Sequence, residues 1–357
     1  MKSSKNRIGK WVERVVIGLL LVTIVFSIIA FVGINSAYNK NFSRADYSEY
    51  NTIYYNTYAQ IDTNKYKREI LSIKSGENTL AGYLYGQENT RGLIIISPGH
   101  RNASDIKLPE ITYFVDNGWM VLCFDYTGCY ASEGNSMVGY VQASKDLDAV
   151  IDYVEIDHRF ENLPVALFGH SLGAYASASV LKCKHNIVAV VAASGFDDPT
   201  EQWDYSVKRS TGFWGNILSP YSKILMNFKL GEMAHFSAID GINSTEIPVL
   251  ILQGTTDKFY GNVSSIYEHR DKITNSNCTL RLMDKENHHG HYDYFLSDEA
   301  IAYRKEIEMD KTSKKESIDK FLLIELNDEI MNYINEFYLK EVAKAAYDTC
   351  SFTIGGL

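Results

Sequence analysis

Pro164-Val165-Ala166-Leu167-Phe168-Gly169-His170-Ser171-Leu172-Gly173 is an apolar run that ends in a G-x-S-x-G pentapeptide. The run reads as a buried strand, and the small residues Ala174, Ala176, Ser177 and Ala178 beyond it read as a helix able to lie close on a sheet. A serine in a sharp strand-to-helix turn projects from the backbone toward substrate. The residue after it can aim its N–H at a developing oxyanion. Gly169 and Gly173 leave out a Cβ where such a turn crowds backbone against backbone. Strand and helix on either side separate this elbow from a chance match to five letters.

A serine hydroxyl is a weak nucleophile near neutral pH, so Ser171 needs a base, and the base needs an acid to orient it. Acid candidates lie at strand ends. Asp257 follows the strand Pro248 to Gln253 in Gly254-Thr255-Thr256-Asp257, and Asp197 and Asp198 follow the strand Val188 to Ala193. Base candidates are His288, His289 and His291 in Asn287-His288-His289-Gly290-His291, after the short strand Thr279 to Met283. The same histidines with Asp284, Glu286 and Asp293 could instead ligate zinc. That reading leaves the elbow unexplained and lacks an H-E-x-x-H pattern, so neither a metal nor an organic cofactor is expected. A second oxyanion donor belongs on a loop after an early strand. Gly92 to Ser97, apolar almost throughout, runs into Pro98-Gly99-His100-Arg101-Asn102, where the His100 N–H can join that of Leu172.

The surrounding pattern alternates. Lys67 to Ile73 and Leu80 to Tyr85 read as two antiparallel strands about Ser75-Gly76-Glu77-Asn78. Strands Leu93 to Ser97, Met120 to Asp125 and Val165 to Phe168 then alternate with helices near Lys107 to Asn117 and Tyr140 to Val154. Such alternation implies a mainly parallel sheet with helices on both faces. About fifty residues separate Ser194 from Pro248, more than a crossover helix requires. They carry Trp203, Tyr205, Phe213, Trp214, Tyr221, Phe228 and Phe236. This insertion, about 200–246, is read as a lid whose aromatics either roof an apolar pocket over Ser171 or form a small core of their own.

These pieces resemble the α/β-hydrolase superfamily, of the serine aminopeptidase and monoacylglycerol-lipase-like type, over most of Tyr66 to Phe295. The matching segments are Ser97-Pro98-Gly99-His100, then Asp125 to Gly134, which is similar to that family's D-x-x-G-x-G-x-S-x-G segment, then the elbow, the Gly254 to Asp257 turn, and Gly290-His291. The resemblance implies the chain order serine, acid, histidine. It thereby favours Asp257 as acid and His291, directly after a glycine, as base, with His289 and His288 as alternatives. Two positions depart from the family pattern. Tyr130 stands where a second glycine is usual, and Pro98 where a histidine is usual. The resemblance implies hydrolysis of an ester, thioester or amide.

At the N-terminus no charged residue occurs from Val15 to Asn39, and Val15 to Ile34 is dominated by Val, Ile, Leu and Phe. Twenty such residues can cross a bilayer core. Lys2, Lys5, Arg7, Lys10 and Arg14 precede this run against the single acid Glu13, a bias that holds the N-terminus in the cytoplasm and the rest of the chain outside it. A cleaved signal peptide is the rival reading, but the run exceeds a typical h-region and no A-x-A site follows. The expected layout is a basic terminus 1–14, a membrane helix 15–34, a stalk 35–65, the hydrolase domain 66–309 and a helical extension 310–357. That extension begins with the charged run Asp310 to Glu316 and continues with Phe321, Leu322, Ile324, Leu326, Ile330, Ile334 and Phe337 at roughly helical spacing.

The chain has 357 residues, 35 basic against 44 acidic, for a net charge of −9. Setting aside the five basic residues and one acid before the apolar run makes the remainder more acidic still, which argues against nucleic-acid partners. The five cysteines, an odd number without C-x-x-C spacing, do not form a disulfide framework. The expectation is therefore a membrane-anchored serine esterase or lipase acting on small or single-chain esters. A serine peptidase is the second reading, and a non-catalytic binding protein or an acyltransferase on the same fold stands behind it.

Overall fold

The computed structural model describes residues 2–49, 55–259, 264–309 and 318–354. Eight strands form one sheet in the order β1-β2-β4-β3-β5-β6-β7-β8. They are β1 Arg68–Ser75, β2 Asn78–Tyr85, β3 Leu93–Ser97, β4 Met120–Phe124, β5 Val165–His170, β6 Ala189–Ala193, β7 Val249–Gly254 and β8 Cys278–Met283. The β1–β2 and β2–β4 pairs are antiparallel, and every later pair is parallel. The strand carrying the elbow, β5, lies between β3 and β6, so the loops after β3, β5, β7 and β8 emerge at the same edge of the sheet.

The unbroken apolar strands are buried on both faces, as a parallel sheet requires. Leu93 and Ile95 of β3 and Val165 and Leu167 of β5 face one core. There they meet Leu147, Val150 and Ile151 of α3 (Tyr140–Ile156) and Ala174 and Ala178 of α4 (Leu172–Ser179). Ile94, Ile96, Ala166 and Phe168 face the other core, against Ile111 and Phe114 of α2 (Leu108–Asp116) and Met331, Ile334 and Tyr338 of the C-terminal helix Asp328–Ile354. Each large side chain buried in this way contributes about 1.5–3 kcal/mol. The C-terminal helix is also held by hydrogen bonds: Tyr338 Oη donates to the Leu167 carbonyl at 2.6 Å, and Trp119 Nε1 donates to Asn335 Oδ1 at 2.8 Å. The charged run at 310–316 lies outside the described residues.

The N-terminal apolar run forms part of α1, Lys2–Asn41. Within it, Arg7–Asn41 is the one candidate among the described residues with the length and apolar character to cross a membrane, holding an 18-residue stretch of mean hydropathy 3.1. The segment expected to be a stalk behaves differently. The helix continues to Asn41, and the residues after it lie on the domain. Arg44 donates to the carbonyls of Tyr130, Ser132 and Gly134, and Ala45 exchanges backbone hydrogen bonds with Gly128 and Tyr130. Ile34, Tyr38 and Phe42 join the main core. Polarity there reflects hydrogen bonding to loops, a pattern that composition does not separate from solvation.

The insertion is helical, with α5 Pro199–Thr211, α6 Gly215–Leu230 and α7 Ala238–Asn243. Its aromatics take neither of the two expected arrangements as a group. Trp203 is buried against Tyr38 and Phe42, and Tyr221 packs on Phe26 of α1. Phe213, Trp214 and Phe228 are exposed.

Candidate active site

Ser171 stands between β5 and α4 at φ 61° and ψ −121°, a conformation that L side chains rarely adopt and that costs on the order of 1–3 kcal/mol. The two glycines of the pentapeptide permit it. A Cβ on Gly169 would sit 2.1 Å from the Gly173 carbonyl oxygen, and one on Gly173 would sit 2.0 Å from the Ser97 carbonyl oxygen. Leu172 opens α4, where the first N–H groups of a helix have no carbonyl within the helix to receive them. The loop after β3 comes alongside, since a Cβ on Gly99 would lie 3.8 Å from the Ser171 Cβ. Tyr126 Oη donates to the Pro98 carbonyl at 3.1 Å, and Arg101 takes φ 56°.

The three candidate histidines point to three different partners. His291 Nδ1 lies 2.8 Å from Asp257 Oδ2, and because an ionised carboxylate only accepts, Nδ1 carries the proton. His289 Nδ1 meets Thr256 Oγ1 at 2.6 Å. His288 Nε2 meets Asp298 Oδ1 at 2.5 Å and is buried. This divergence counts against the zinc reading of the cluster. Among the described residues the ligand group that does converge is Asp152, Glu155 and His185, elsewhere on the fold. The rival acids also have other work. Asp198 caps α5 through the Thr200 and Glu201 N–H groups, and Asp197 accepts from Ser237 Oγ, the Ile239 N–H and His269.

Asp257 is buried, which alone would raise its pKa. The hydrogen bond and charge of His291, the Phe259 N–H at 2.9 Å and the Gln253 amide at 3.0 Å outweigh that and hold the carboxyl below its ordinary range. The turn carrying Asp257 and the loop carrying His291 are locked together without side chains between them. A Cβ on Gly254 would sit 2.0 Å from the Gly290 carbonyl oxygen, and the Thr256 N–H donates to the His289 carbonyl at 2.8 Å.

Three contributors were not assigned these contacts from the sequence. His170 Nε2 donates to the His291 carbonyl at 2.9 Å, with the two rings 4.7 Å apart. Burial, followed by the neighbouring His291 and Lys107, pushes the His170 pKa well below its usual value, so this ring is neutral. Gln253, the polar end of an apolar strand, donates its amide to Asp257 Oδ2, and its place was the available signal. Tyr130 occupies its family-glycine position at φ 45° and donates from Oη to the Arg101 carbonyl at 2.7 Å, a bond that ties the loop of Asp125 to the loop of His100. Asp125 itself is buried and pushed up to about 6 by that burial, against hydrogen bonds from Ser104, Ala131 and Tyr83.

His100 and the end of α1 are in contact. The His100 ring packs edge-on to Phe42 at 5.4 Å, and its Nε2 lies 3.2 Å from the Asn41 carbonyl oxygen. Cys123, Cys129, Cys183 and Cys278 are free thiols, and Cys350 falls outside the residues whose side chains are described.

Residues 88–234 match the family of serine aminopeptidases, S33. Curated protein sequences yield no match. Among solved structures, an esterase of Pyrococcus furiosus, Pf2001, superposes with a TM-score of 0.50 at 16% identity, over 68% of this chain and 88% of its own. Acetyl xylan esterase 1 of Thermoanaerobacterium superposes with a TM-score of 0.51 at 14% identity, over 65% of this chain and 80% of its own. At these identities the likeness speaks for the fold. With its mostly parallel eight-stranded sheet and helices on both faces, the chain has the α/β-hydrolase fold, and residues 88–234 are similar to the serine aminopeptidase family.

Proposed function

We propose that the chain is a membrane-anchored serine hydrolase of carboxylic esters, with Ser171, His291 and Asp257 as its triad. The observation that carries this reading is the 2.8 Å contact between His291 Nδ1 and Asp257 at the sheet edge where Ser171 occupies its elbow. Ser171 Oγ attacks the acyl carbon while His291 Nε2 takes the hydroxyl proton. Asp257 stabilises the imidazolium, and the N–H groups of Leu172 and His100 receive the oxyanion. His291 then protonates the departing alkoxide. Water attacks the acyl-enzyme, gives a proton to the same base, and releases the acid and the serine. His289 and His288, with other partners, have no part in proton transfer. No metal or organic cofactor enters the scheme.

The domain 66–309 carries this chemistry, with residues 200–246 as its lid, 310–357 as an extension beyond it, and 15–34 in the bilayer. The basic residues before the apolar run place residues 1–14 in the cytoplasm and the hydrolase outside it. Hydrolysis of peptide bonds is the second reading, favoured by the serine aminopeptidase match. The test is fluorophosphonate labelling of the detergent-solubilised chain and its Ser171→Ala variant, followed by p-nitrophenyl esters and aminoacyl amides as substrates. Labelling at Ser171 with ester turnover is the expected result. A folded protein that resists the probe overturns the hydrolase reading, and turnover of amides alone selects the peptidase.

A further inference from the structure

A cavity of about 690 Å³ lies between α1 and the insertion. It is lined from α1 by Ala30, Gly33 and Ala37, and from the insertion by Trp203, Val207 and Trp214. The α1 residues recur on one helix face and are small. At such positions neighbouring membrane helices ordinarily close on each other. Here they leave space, and a Cβ on Gly33 would meet nothing within 4 Å.

Three further observations say what fills it. Trp203 is 4% exposed, yet its indole Nε1 is buried with no hydrogen-bond partner among the described residues. An orphaned buried donor of that kind calls for an acceptor oxygen in an otherwise apolar space. Second, α6 runs alongside α1 in the same direction. Ser27 Oγ meets Tyr221 Oη at 2.8 Å, and Lys229 Nζ donates to Asn39 Oδ1 at 3.0 Å. Tyr221 is therefore level with Ser27, inside the apolar run Val15 to Ile34. The start of α6, with exposed Trp214 and Ile217 and the preceding Phe213, runs back from that level toward the middle of the apolar run, so these side chains face hydrocarbon. Third, the inner end of the cavity is Asn41, whose carbonyl contacts His100 of the loop beside Ser171.

We infer that this groove takes one acyl chain of a bilayer lipid, admitted sideways from the leaflet on the catalytic side, with the Trp203 N–H on an ester oxygen. This deepens the proposed function and rests on it for the cleavage step: the chain bound in the groove presents its ester toward His100 and Ser171, where water is the acceptor. Membrane anchoring then does more than hold the enzyme in place, because α1 is one wall of the substrate site. Phe213, Trp214, Ile224 and Phe228 cover the insertion's outer face with apolar side chains suited to lipid.

The test uses the full chain in phosphatidylcholine vesicles doped with a phosphatidylcholine whose acyl chain carries a diazirine, with adducts mapped by mass spectrometry. The groove predicts adducts on peptides holding Ala30 to Ala37 and Trp203 to Trp214. Gly33→Leu or Ala37→Leu should cut them at least fivefold, whereas Val32→Leu, outside the groove, should not. The ratio of long-chain to acetyl ester hydrolysis should fall about tenfold in the two groove variants. Adducts spread evenly over the outward face of α1, or unaffected by both groove variants, would overturn the inference even if Ser171 labels with fluorophosphonate. Groove adducts without Ser171 labelling would preserve lipid binding and remove the hydrolase reading instead.

Discussion

Replacing His170 by phenylalanine keeps a flat ring in a fully enclosed position and removes one bond, the 2.9 Å donation from Nε2 to the His291 carbonyl. The ring sits 4.7 Å from that of His291 and 5.1 Å from that of Tyr292, so its apolar contacts are largely retained. Loss of a hydrogen bond to a buried carbonyl costs about 1–3 kcal/mol. The loop of His291 is tied to the turn of Asp257 one step back, through the Thr256 N–H on the His289 carbonyl, and without the His170 bond its His291 end can shift to recover a donor. A displacement of the base by about 1 Å lowers rates by about 10². The expectation is thus a fall in kcat of about 30–100-fold with KM within about threefold, measured on p-nitrophenyl acetate. His170→Gln, whose amide N–H can reach the same carbonyl, should recover most of the lost kcat. A merely structural role would show instead as lowered thermal stability without a selective kcat effect. If His170→Phe keeps kcat within twofold at an unchanged Tm, the positioning argument fails.

Asp257→Asn preserves shape but withdraws the charge facing His291, so kcat should drop by about 10⁴ while the melting temperature stays within a few degrees; a drop below tenfold would transfer the role of acid elsewhere. Gly173→Ala puts a Cβ at 2.0 Å from a backbone oxygen of β3, which neither partner can yield, and should prevent accumulation of folded protein; normal expression with Ser171 labelling would contradict the elbow geometry. Burial, aided by Arg101, pushes the His100 pKa down to about 4, against the hydrogen bond to Asn41. The folded state then binds fewer protons than the unfolded state between about pH 4 and pH 6.5, so this stabilisation is complete above about pH 6.5 and is lost as pH falls through 4, to a total of about 3 kcal/mol. Thermal melts at pH 7.5 and pH 4.5 should show a larger acid-induced decrease for the parent chain than for His100→Asn, and equal decreases would refute the buried neutral imidazole.

Much of the architecture was legible in the linear order of residues because its causes are local. Five-residue apolar runs such as Leu93 to Ser97 can be satisfied only by burial on both faces, so β3, β4, β5, β6 and β7 fall within a residue or two of their expected bounds. The elbow was equally local, since Gly169 and Gly173 are demanded by contacts within the turn and its strand neighbour. Tyr130 shows where a pattern stops being informative. At φ 45° it does what a glycine would do, and the reason, a hydroxyl reaching Arg101, lies twenty-nine residues away.

What the sequence determined by itself is the mostly parallel α/β sheet, the long apolar N-terminal helix and the sharp strand-to-helix turn at Ser171, each set by periodicity or by backbone sterics over a few residues. What only the tertiary structure decided is which of three neighbouring histidines faces Asp257, and where α1 goes after its apolar run. His288, His289 and His291 are chemically the same group, and their partners Asp298, Thr256 and Asp257 are brought to them from separate elements by the packing of the loop after β8 against the turn after β7. The docking of α1 onto α5, α6 and the His100 loop likewise depends on surfaces 59 to 194 residues apart in the chain, for which no local pattern exists until the sheet has brought them together.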